Sequence, residues 1–304
     1  MHLKGLCHAL LSAMLFGTVT GLSKLLLGSL GPATLGAVTY LGAGMVGLLA
    51  VALAPAPSVP PAARKEQGGA CFGAALVLGA VVAPLLLMTG LQSTSASLAS
   101  ILTNLEGIAT VGLAWLFFRE KSDRGSVICI LAILAGVACF TFSGNVPLSG
   151  NIGPVLVALA YLCWALDINL MRRVTNITMP RAVMIRGFAG AFVMMAVAWL
   201  WREPAPGNMA LAAGLLTGAV GFGVSFILIL NVLPTLGAAK AGAIFASAPI
   251  FSYLCSSLLE SGTVSPSSAQ LVAIVLIVCG IVLAGINAFR AERLEQGLPA
   301  PVQV

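Results

Sequence analysis

LCHALLSAMLFGTVTGLSKLLLGSLGP at residues 6–32 and PVLVALAYLCWALDINLMRRVTNITMP at residues 154–180 carry one pattern twice. Each stretch is a long apolar run with a basic residue near its end and a closing proline. The pairs Phe16–Trp164, Lys24–Arg172 and Pro32–Pro180 all stand 148 positions apart. A second set stands 142 positions apart: Leu91–Leu233, Ala96–Ala238, Ala99–Ala241 and Ile108–Ile250. The chain therefore contains two copies of one unit.

The composition indicates a membrane protein. Of the 304 residues, 59% are hydrophobic and only 8% are charged, and the mean hydropathy is +1.06. Soluble domains carry about 25% charged residues. Because a water-soluble chain of this length could not cover so much apolar surface, we predict an all-α polytopic membrane protein.

Ten segments are long and apolar enough to span a bilayer, which takes about 20 residues each. They are 6–28, 33–54, 70–91, 95–118, 125–143, 152–173, 181–201, 208–230, 236–258 and 269–289. The predicted repeats cover 6–143 and 152–289, and a short tail follows at 290–304. Because five spans form each repeat, the second repeat enters the membrane upside down relative to the first. Ten transmembrane helices in two inverted repeats, with a site between them, are typical of secondary transporters.

The basic residues predict the orientation. Cytoplasmic loops carry an excess of Lys and Arg. We therefore predict a protein of the inner membrane with both termini in the cytoplasm. The segments then placed inside hold Lys4, Arg64, Lys65, Arg119, Lys121, Arg124, Arg172, Arg173, Arg181, Arg290 and Arg293. This bias also explains the net charge of +6 without any binding of nucleic acid.

Several kinds of chemistry are excluded by what the sequence lacks. The histidines are His2 and His8, and the seven cysteines stand singly, so we predict no metal site, no cofactor and no disulfide. There is no phosphate-binding G-x-x-x-x-G-K-[ST] motif and no intramembrane histidine for a protease, so we predict that the protein is not an enzyme. A channel remains an alternative, although channels usually place rings of polar groups around an axis.

Glu106 is the strongest candidate for a functional residue. It stands about halfway along the span 95–118, where an ionisable group is expensive and usually faces protein or a water-filled cavity. Thr103 and Thr110 share its helix face, and Asn104 lies beside it. We expect this group to bind substrate or to carry a proton, and a purely structural hydrogen bond is the alternative.

Asp167 is the second acid within a span. Arg186 lies at a similar depth in the next helix, and intramembrane charges generally find a partner. We predict that the two form a salt bridge that serves as a gate, with direct contact between Asp167 and substrate as the alternative.

Aromatic and hydroxyl side chains accompany these acids. Phe16 and Thr20 share one face of the first helix, and Tyr161 and Trp164 share a face with Asp167 in the sixth. We expect them to line a substrate pocket, with ordinary helix packing as the alternative. Pro84 and Pro249 lie within predicted helices, where proline bends the chain, and are candidate hinges.

These motifs resemble the drug/metabolite transporter superfamily, in its EamA-type branch with two five-helix repeats. The resemblance spans nearly the whole chain. It rests on Leu15-Phe16-Gly17 with Lys24, Cys163-Trp164-Ala165 with Arg172, Leu105-Glu106, Ala248-Pro249, Glu120, Glu260, Gly136 and Gly280. The chain departs from the family pattern at Gly107, at Ala248 and at Phe16, which replaces the commoner tryptophan.

The resemblance implies a carrier that moves small metabolites by alternating access, often amino acids or related compounds and often outward. The partners expected are a small-molecule substrate, the lipid bilayer and protons. Uptake or exchange of another solute, such as a nucleotide-sugar-like or vitamin-like compound, remains an alternative, and both a monomer and a homodimer remain open.

Overall fold

The structure, a computed structural model, describes most of the chain. The described residues are 2–53, 68–94, 98–99, 102–116, 124–142, 152–174, 177–245, 247–248, 250–252, 255, 268, 271–272, 275–283 and 286. All regular secondary structure within them is helical. The all-α class predicted from the composition is confirmed.

The helices follow the hydropathy pattern of the sequence. In chain order they are α1 (His2–Leu26), α2 (Pro32–Leu53), α3 (Gly69–Gln92), α4 (Asn104–Leu116), α5 (Arg124–Phe142), α6 (Gly153–Met171) and α7 (Met179–Leu200). Prolines stand at the start of α2, α6 and α7, where a missing N–H has no helical partner to lose. Gly68 precedes α3 with φ at 107°, in the left-handed region that glycine accepts without strain.

The next helical stretch, from Asn208 to Phe245, reverses direction. The rings of Phe226 and Phe245 both pack on Phe16, with centroid distances of 6.4 and 4.8 Å. In a straight helix the two residues would stand about 28 Å apart. Pro234 lies between them and interrupts the backbone hydrogen bonds. We name residues 208–234 α8, residues 235–245 α9, and the helical residues 275–283 α10.

The predicted span 95–118 is interrupted near its middle, since residues 98–99 and 102 are helical and a turn at Thr103 precedes α4. The described part of α4 starts at Asn104, with Thr103 in a turn, so Glu106 lies in the first turn rather than halfway along an unbroken helix over 95–118. The hydroxyl of Thr103 bonds back to the carbonyl of Ala99 at 3.1 Å and also reaches another helix. Such local side-chain bonds compete with regular helix, which explains the interruption.

The bundle has an apolar surface and a partly polar interior. Within the described residues, six helical segments are long and apolar enough to cross a membrane, and two shorter apolar helices lie at Leu105–Leu116 and Val127–Gly136. Large apolar side chains such as Leu49, Phe192 and Leu216 face outward, whereas Glu106 and Asp167 are buried. This distribution suits a protein surrounded by lipid.

Equivalent helices of the two repeats pack together in antiparallel pairs. As residue numbers rise in one helix of a pair, they fall in the other. The contacts that show this are Phe16–Trp164 and Thr20–Tyr161 between α1 and α6, and Gly36–Met194 and Gly47–Met184 between α2 and α7. The axis that relates the repeats therefore lies in the membrane plane, as an inverted repeat requires.

Two π-helical segments occupy equivalent places in the repeats. They are Leu76–Val82 in α3 and Gly218–Val224 in α8, and their ends stand 142 positions apart, as in the sequence repeat. Each packs on the second helix of the other repeat: Gly190 of α7 lies against Ala80, and Gly42 of α2 lies against Ala219. A β-carbon at either glycine would meet backbone atoms there. Because π-helical turns often occur at functional sites, we expect the functional site in the region between the two segments.

Candidate functional site

A cluster of aromatic rings fills the centre of the bundle. The ring of Phe16 contacts Trp164 edge-on at 5.6 Å between centroids and lies 5.9 Å from Phe222. Phe226 and Phe245 complete the cluster, which therefore joins α1, α6, α8 and α9. The cluster brings together helices from both repeats at their interface.

The carbonyl of Gly79 lies beside this cluster and accepts two side-chain hydrogen bonds. Tyr40 Oη donates to it at 2.5 Å and Trp164 Nε1 at 2.9 Å. Tyr40 comes from α2 and Trp164 from α6, so the bond from Trp164 crosses between the repeats. Both side chains are almost fully buried.

The sequence around Gly79 explains why its carbonyl needs side-chain partners. In the π-helical register the N–H of Ala83 bonds to Leu78, five residues back. The next residue, Pro84, would be the partner of Gly79 in that register, but proline has no N–H. An unpaired carbonyl within the membrane costs several kcal/mol. Tyr40 and Trp164 donate the hydrogen bonds that the helix backbone cannot provide. Pro84, predicted as a hinge, lies directly after the π-helical segment.

Asp167 and Arg186 form a buried ion pair next to Gly79. Arg186 Nη2 donates to Asp167 Oδ2, and the guanidinium lies 5.4 Å from the ring centroid of Phe226. The β-carbon that any other residue would carry at position 79 would overlap the Asp167 carboxyl. Asp167 Oδ1 and Arg186 Nε have no hydrogen-bond partner among the described residues. The pair thus keeps one acceptor and one donor unused.

Glu106 is the third ionisable residue of the centre. Its side chain is 3% exposed, and its Oε2 atom lacks a hydrogen-bond partner within the described part of the chain. It lies within electrostatic range of Asp167. Asn169 fixes α4 against α6 by donating to the carbonyls of Thr110 and Ala165 at 3.1 and 2.9 Å. This contact holds the helix face that carries Glu106 toward α6.

Three hydroxyl groups next to Glu106 are joined across three helices. Thr20 Oγ1 and Tyr161 Oη lie 3.0 Å apart, and Thr103 Oγ1 donates to Tyr161 Oη at 2.9 Å. All three side chains are buried. The chain connects α1, α6 and α4 at the centre of the bundle.

Most residues that the sequence singles out meet at this centre. The structure brings together Phe16, Thr20, Thr103, Glu106, Tyr161, Trp164, Asp167 and Arg186. Asn104 begins α4, but its side chain is outside the described part, and Pro249 lies outside the described residues altogether. Whether the assembled residues bind substrate or form a gate stays a prediction.

Tyr40, Gly79 and Asn169 were not expected from the sequence. Tyr40 could have been noticed as one of only three tyrosines, placed well inside a span. Gly79 stands five residues before Pro84, the spacing at which a π-helical turn leaves a carbonyl without a partner. Asn169 carries the weaker signal of an amide within an apolar helix.

Comparison with known proteins identifies the family. The EamA-like transporter family matches residues 3–142 and 151–286, which is most of the chain and both repeats. An uncharacterized transporter from Methanothermobacter thermautotrophicus is 28% identical over 276 residues, covering 82% of this chain and 77% of that protein. A solved crystal structure of a protein shares the fold with a TM-score of 0.73 at 20% identity, covering 95% of this chain and 98% of the other. The chain belongs to the EamA-like transporter family, within the drug/metabolite transporter superfamily that its motifs resemble, and is a multi-pass membrane transporter.

Proposed function

We propose that this protein is a secondary transporter for a small zwitterionic metabolite of the amino-acid class. The observation that carries the proposal is the charged centre of the bundle. Glu106 Oε2, Asp167 Oδ1 and Arg186 Nε are buried and lack hydrogen-bond partners in the described part of the chain. The two carboxylate oxygens can accept hydrogen bonds from an ammonium group, and the Arg186 Nε–H can donate one to a carboxylate. Buried polar groups without partners are costly, and a bound zwitterion would remove that cost.

The surroundings favour a substrate with an apolar part. Phe16, Trp164 and Phe226 pack beside the charged groups. Aromatic rings supply a large contact area for an apolar side chain. Among the described residues, a multiply charged phosphate compound would find one buried arginine here, which is a poor match for its charge.

Alternating access is the proposed mechanism, and the packing of the repeats supports it. The antiparallel pairs α1–α6 and α2–α7 form an interface across which one repeat can rock against the other. Pro84 and Pro249 are the proposed hinges, and the Asp167–Arg186 pair is the proposed gate. The gate closes when the two side chains pair with each other and opens when each turns to the substrate.

We further propose outward transport across the inner membrane, driven by protons, with both termini in the cytoplasm. The orientation is supported by the placement of Lys and Arg in the predicted cytoplasmic loops. Glu106 is the proposed proton carrier. An ionised carboxylate without a partner is unstable at this depth, so the side chain is suited to hold either a proton or a cationic group of the substrate.

Counterflow in proteoliposomes tests the substrate class. Vesicles loaded with one unlabelled neutral L-amino acid at a time are diluted into a trace of the labelled compound. We expect transient accumulation for a subset of amino acids and none for their N-acetyl or amide derivatives, which lack the ammonium or the carboxylate. Derivatives that exchange as well as the parent compounds would contradict the zwitterion proposal, and flux without counterflow would indicate a channel.

Glu106→Gln tests the proton carrier. We expect this variant to lose substrate accumulation driven by a pH gradient, because the amide cannot release a proton. The matched control is Glu203→Gln, at a carboxylate that caps α2 by accepting from the backbone N–H groups of Ala33 and Thr34 at 3.0 and 2.7 Å. The control should keep pH-driven accumulation. Normal accumulation in Glu106→Gln would overturn the proposed role.

A further inference from the structure

The bonded hydroxyls of Thr20, Tyr161 and Thr103 continue toward one face of the membrane. Ser23 lies one helical turn beyond Thr20 in α1, near the end of that helix, and is fully buried. Its hydroxyl has no hydrogen-bond partner among the described residues. Because helical side chains tilt toward the helix N-terminus, the Ser23 hydroxyl is directed back toward Thr20.

The other end of the chain of hydroxyls approaches Glu106. Thr103 stands three residues before Glu106, and side chains at this spacing are neighbours on a helix face. The same tilt directs the Glu106 side chain back toward Thr103. The backbone N–H of Glu106 bonds to the Thr103 carbonyl at 3.2 Å, so one helical turn joins the two residues. Glu106 Oε2 is available to accept a proton from this direction.

We propose that Ser23, Thr20, Tyr161 and Thr103 form a proton relay between Glu106 and the membrane face at which α1 ends. The inference rests on the proposed function, in which Glu106 carries the proton. In the structure Thr103 donates to Tyr161, so transfer toward Glu106 begins when the Thr103 hydroxyl turns to Glu106 and that of Tyr161 turns to Thr103. A proton entering at Ser23 then displaces the hydroxyl proton of Ser23 to Thr20, that of Thr20 to Tyr161, that of Tyr161 to Thr103, and that of Thr103 to the Glu106 carboxylate. Each hydroxyl oxygen forms one O–H bond and breaks one, and Glu106 becomes neutral.

The bonding of other hydroxyls distinguishes the relay from ordinary helix packing. Thr18, Thr39 and Thr217 each bond to a carbonyl three or four residues earlier in their own helix. Thr20 bonds instead to Tyr161 of the other repeat, and Thr103 donates to the same tyrosine in addition to its bond to the carbonyl of Ala99. Tyr40, although buried nearby, donates to the Gly79 carbonyl and is outside the relay.

The charged and titratable groups around the relay are those of the charged centre. Glu106 interacts electrostatically with both Tyr161 and Asp167, and Arg186 is paired with Asp167. At the opposite end, Lys24 Nζ donates to the carbonyl of Leu91 at 2.5 Å. Because each hydroxyl gives up a proton as it receives one, Tyr161 stays neutral throughout the transfer.

The test separates net proton-coupled transport from substrate exchange in proteoliposomes. The probe is a labelled neutral L-amino acid that gives counterflow with the wild type, and a pH-sensitive dye trapped in the vesicles reports protons. In Tyr161→Phe and Thr20→Val we expect net transport driven by a pH gradient to fall by about 10²-fold, in the range of proton-transfer contributions. Exchange should fall by a much smaller factor than net transport, because a carrier that returns loaded moves no net proton and needs no relay.

Two further variants complete the design. Thr20→Ser keeps a hydroxyl and should restore net transport. Thr18→Val removes a hydroxyl two residues away that bonds only within α1, and it should leave both net transport and exchange unchanged. Ser23→Ala should slow net transport less than Tyr161→Phe, because a water molecule can replace a terminal hydroxyl more easily than a central one.

A measurement without substrate gives a second readout. After a pH jump, infrared absorption of the Glu106 carboxyl, assigned by its loss in Glu106→Gln, should change more slowly in Tyr161→Phe than in the wild type. Equal rates would overturn the relay.

The outcomes separate the relay from the proposed function. If the wild type moves no proton with the amino acid, both the proposed coupling and the relay are overturned. If the wild type couples protons and Tyr161→Phe couples them equally well, only the relay is overturned. Loss of exchange in parallel with net transport, without rescue by Thr20→Ser, would assign these hydroxyls a structural role and would also overturn it.

Discussion

The two π-helical segments occupy equivalent positions in the repeats, yet within the described residues only the first lies against ionisable side chains. Gly79 in the first segment lies against the Asp167 carboxyl, whereas its counterpart Gly221 lies against the side chain of Val19. Pro84 follows the first segment and has no N–H, so the carbonyl of Gly79 lacks a backbone hydrogen-bond partner. The equivalent residue after the second segment is Phe226, which has an N–H to offer.

The comparison separates scaffold from chemistry. The close approach of Gly42 and Gly190 to the opposite repeat has the same form on both sides, because it depends only on helix geometry. Among the described residues, the ionisable groups Asp167 and Arg186 lie at the first segment, whereas the second is followed by the bonded hydroxyls of Ser12 and Ser225. Where the first region has Arg186, the second has Val38, and where it has Trp164, the second has Phe16. The site is thus off the symmetry axis, and a substrate bound there would meet different chemistry from each repeat.

The largest effect is expected from removing one charge of the polar region. Arg186→Met leaves the Asp167 carboxylate buried without its partner, which should lower the free energy of unfolding by about 3–5 kcal/mol. The double variant Asp167→Val/Arg186→Met imitates the apolar Val19–Val38 region and should regain most of that stability while losing transport. Thermal unfolding by circular dichroism, together with counterflow, measures both.

A double variant as unstable as Arg186→Met would contradict this prediction, because the instability would then come from lost volume rather than from an uncompensated charge. A double variant that transports normally would show that the ion pair is not part of the transport mechanism.

A smaller effect is expected from filling the space at Gly79. In Gly79→Ala the added methyl group meets the Asp167–Arg186 pair, which should cost about 1–3 kcal/mol of stability and abolish counterflow. Gly73→Ala in the same helix is the control, since its β-carbon would meet nothing within 4 Å. The control should unfold at the wild-type temperature or higher, because alanine favours helix. Equal behaviour of the two variants would contradict a close approach at Gly79.

The smallest effect concerns the hydrogen bond from Trp164 to the Gly79 carbonyl. Trp164→Phe copies the residue of the other repeat, keeps an aromatic ring and should cost about 0.5–1.5 kcal/mol. In the Pro84→Ala background the helix regains an N–H for this carbonyl, so the same substitution should cost at least about 0.5 kcal/mol less. Stability measurements on the four proteins give this coupling.

Trp199→Phe is the control for that cycle, since Trp199 is 79% exposed near the end of α7. It should change stability little in either background. An additive result for Trp164→Phe and Pro84→Ala would show that proline is not the reason the carbonyl needs its side-chain partners.

The helices and the duplication were predictable because burial in lipid demands long apolar segments that satisfy their own backbone. The acids at positions 106 and 167 could be found for the same reason, since a charge is conspicuous in such a segment. The turn at Thr103, directly before α4, was not predictable from hydropathy, because Ser, Thr and Asn interrupt a helix or remain within it according to the partners that they find. The partner of Thr103 is Tyr161, 58 residues away in sequence.

By itself, the sequence determined that this chain is an all-helical membrane protein built from two copies of one unit, and the odd number of spans required their inversion. Only the tertiary structure decided which helix faces meet. A helix that is apolar all round can bury any of its sides against its neighbours or against lipid, so its periodicity does not mark the packed face. The pairing of Gly79 with Tyr40 and Trp164, the reversal of the chain near Pro234 and the chain of hydroxyls at Tyr161 all depend on that choice.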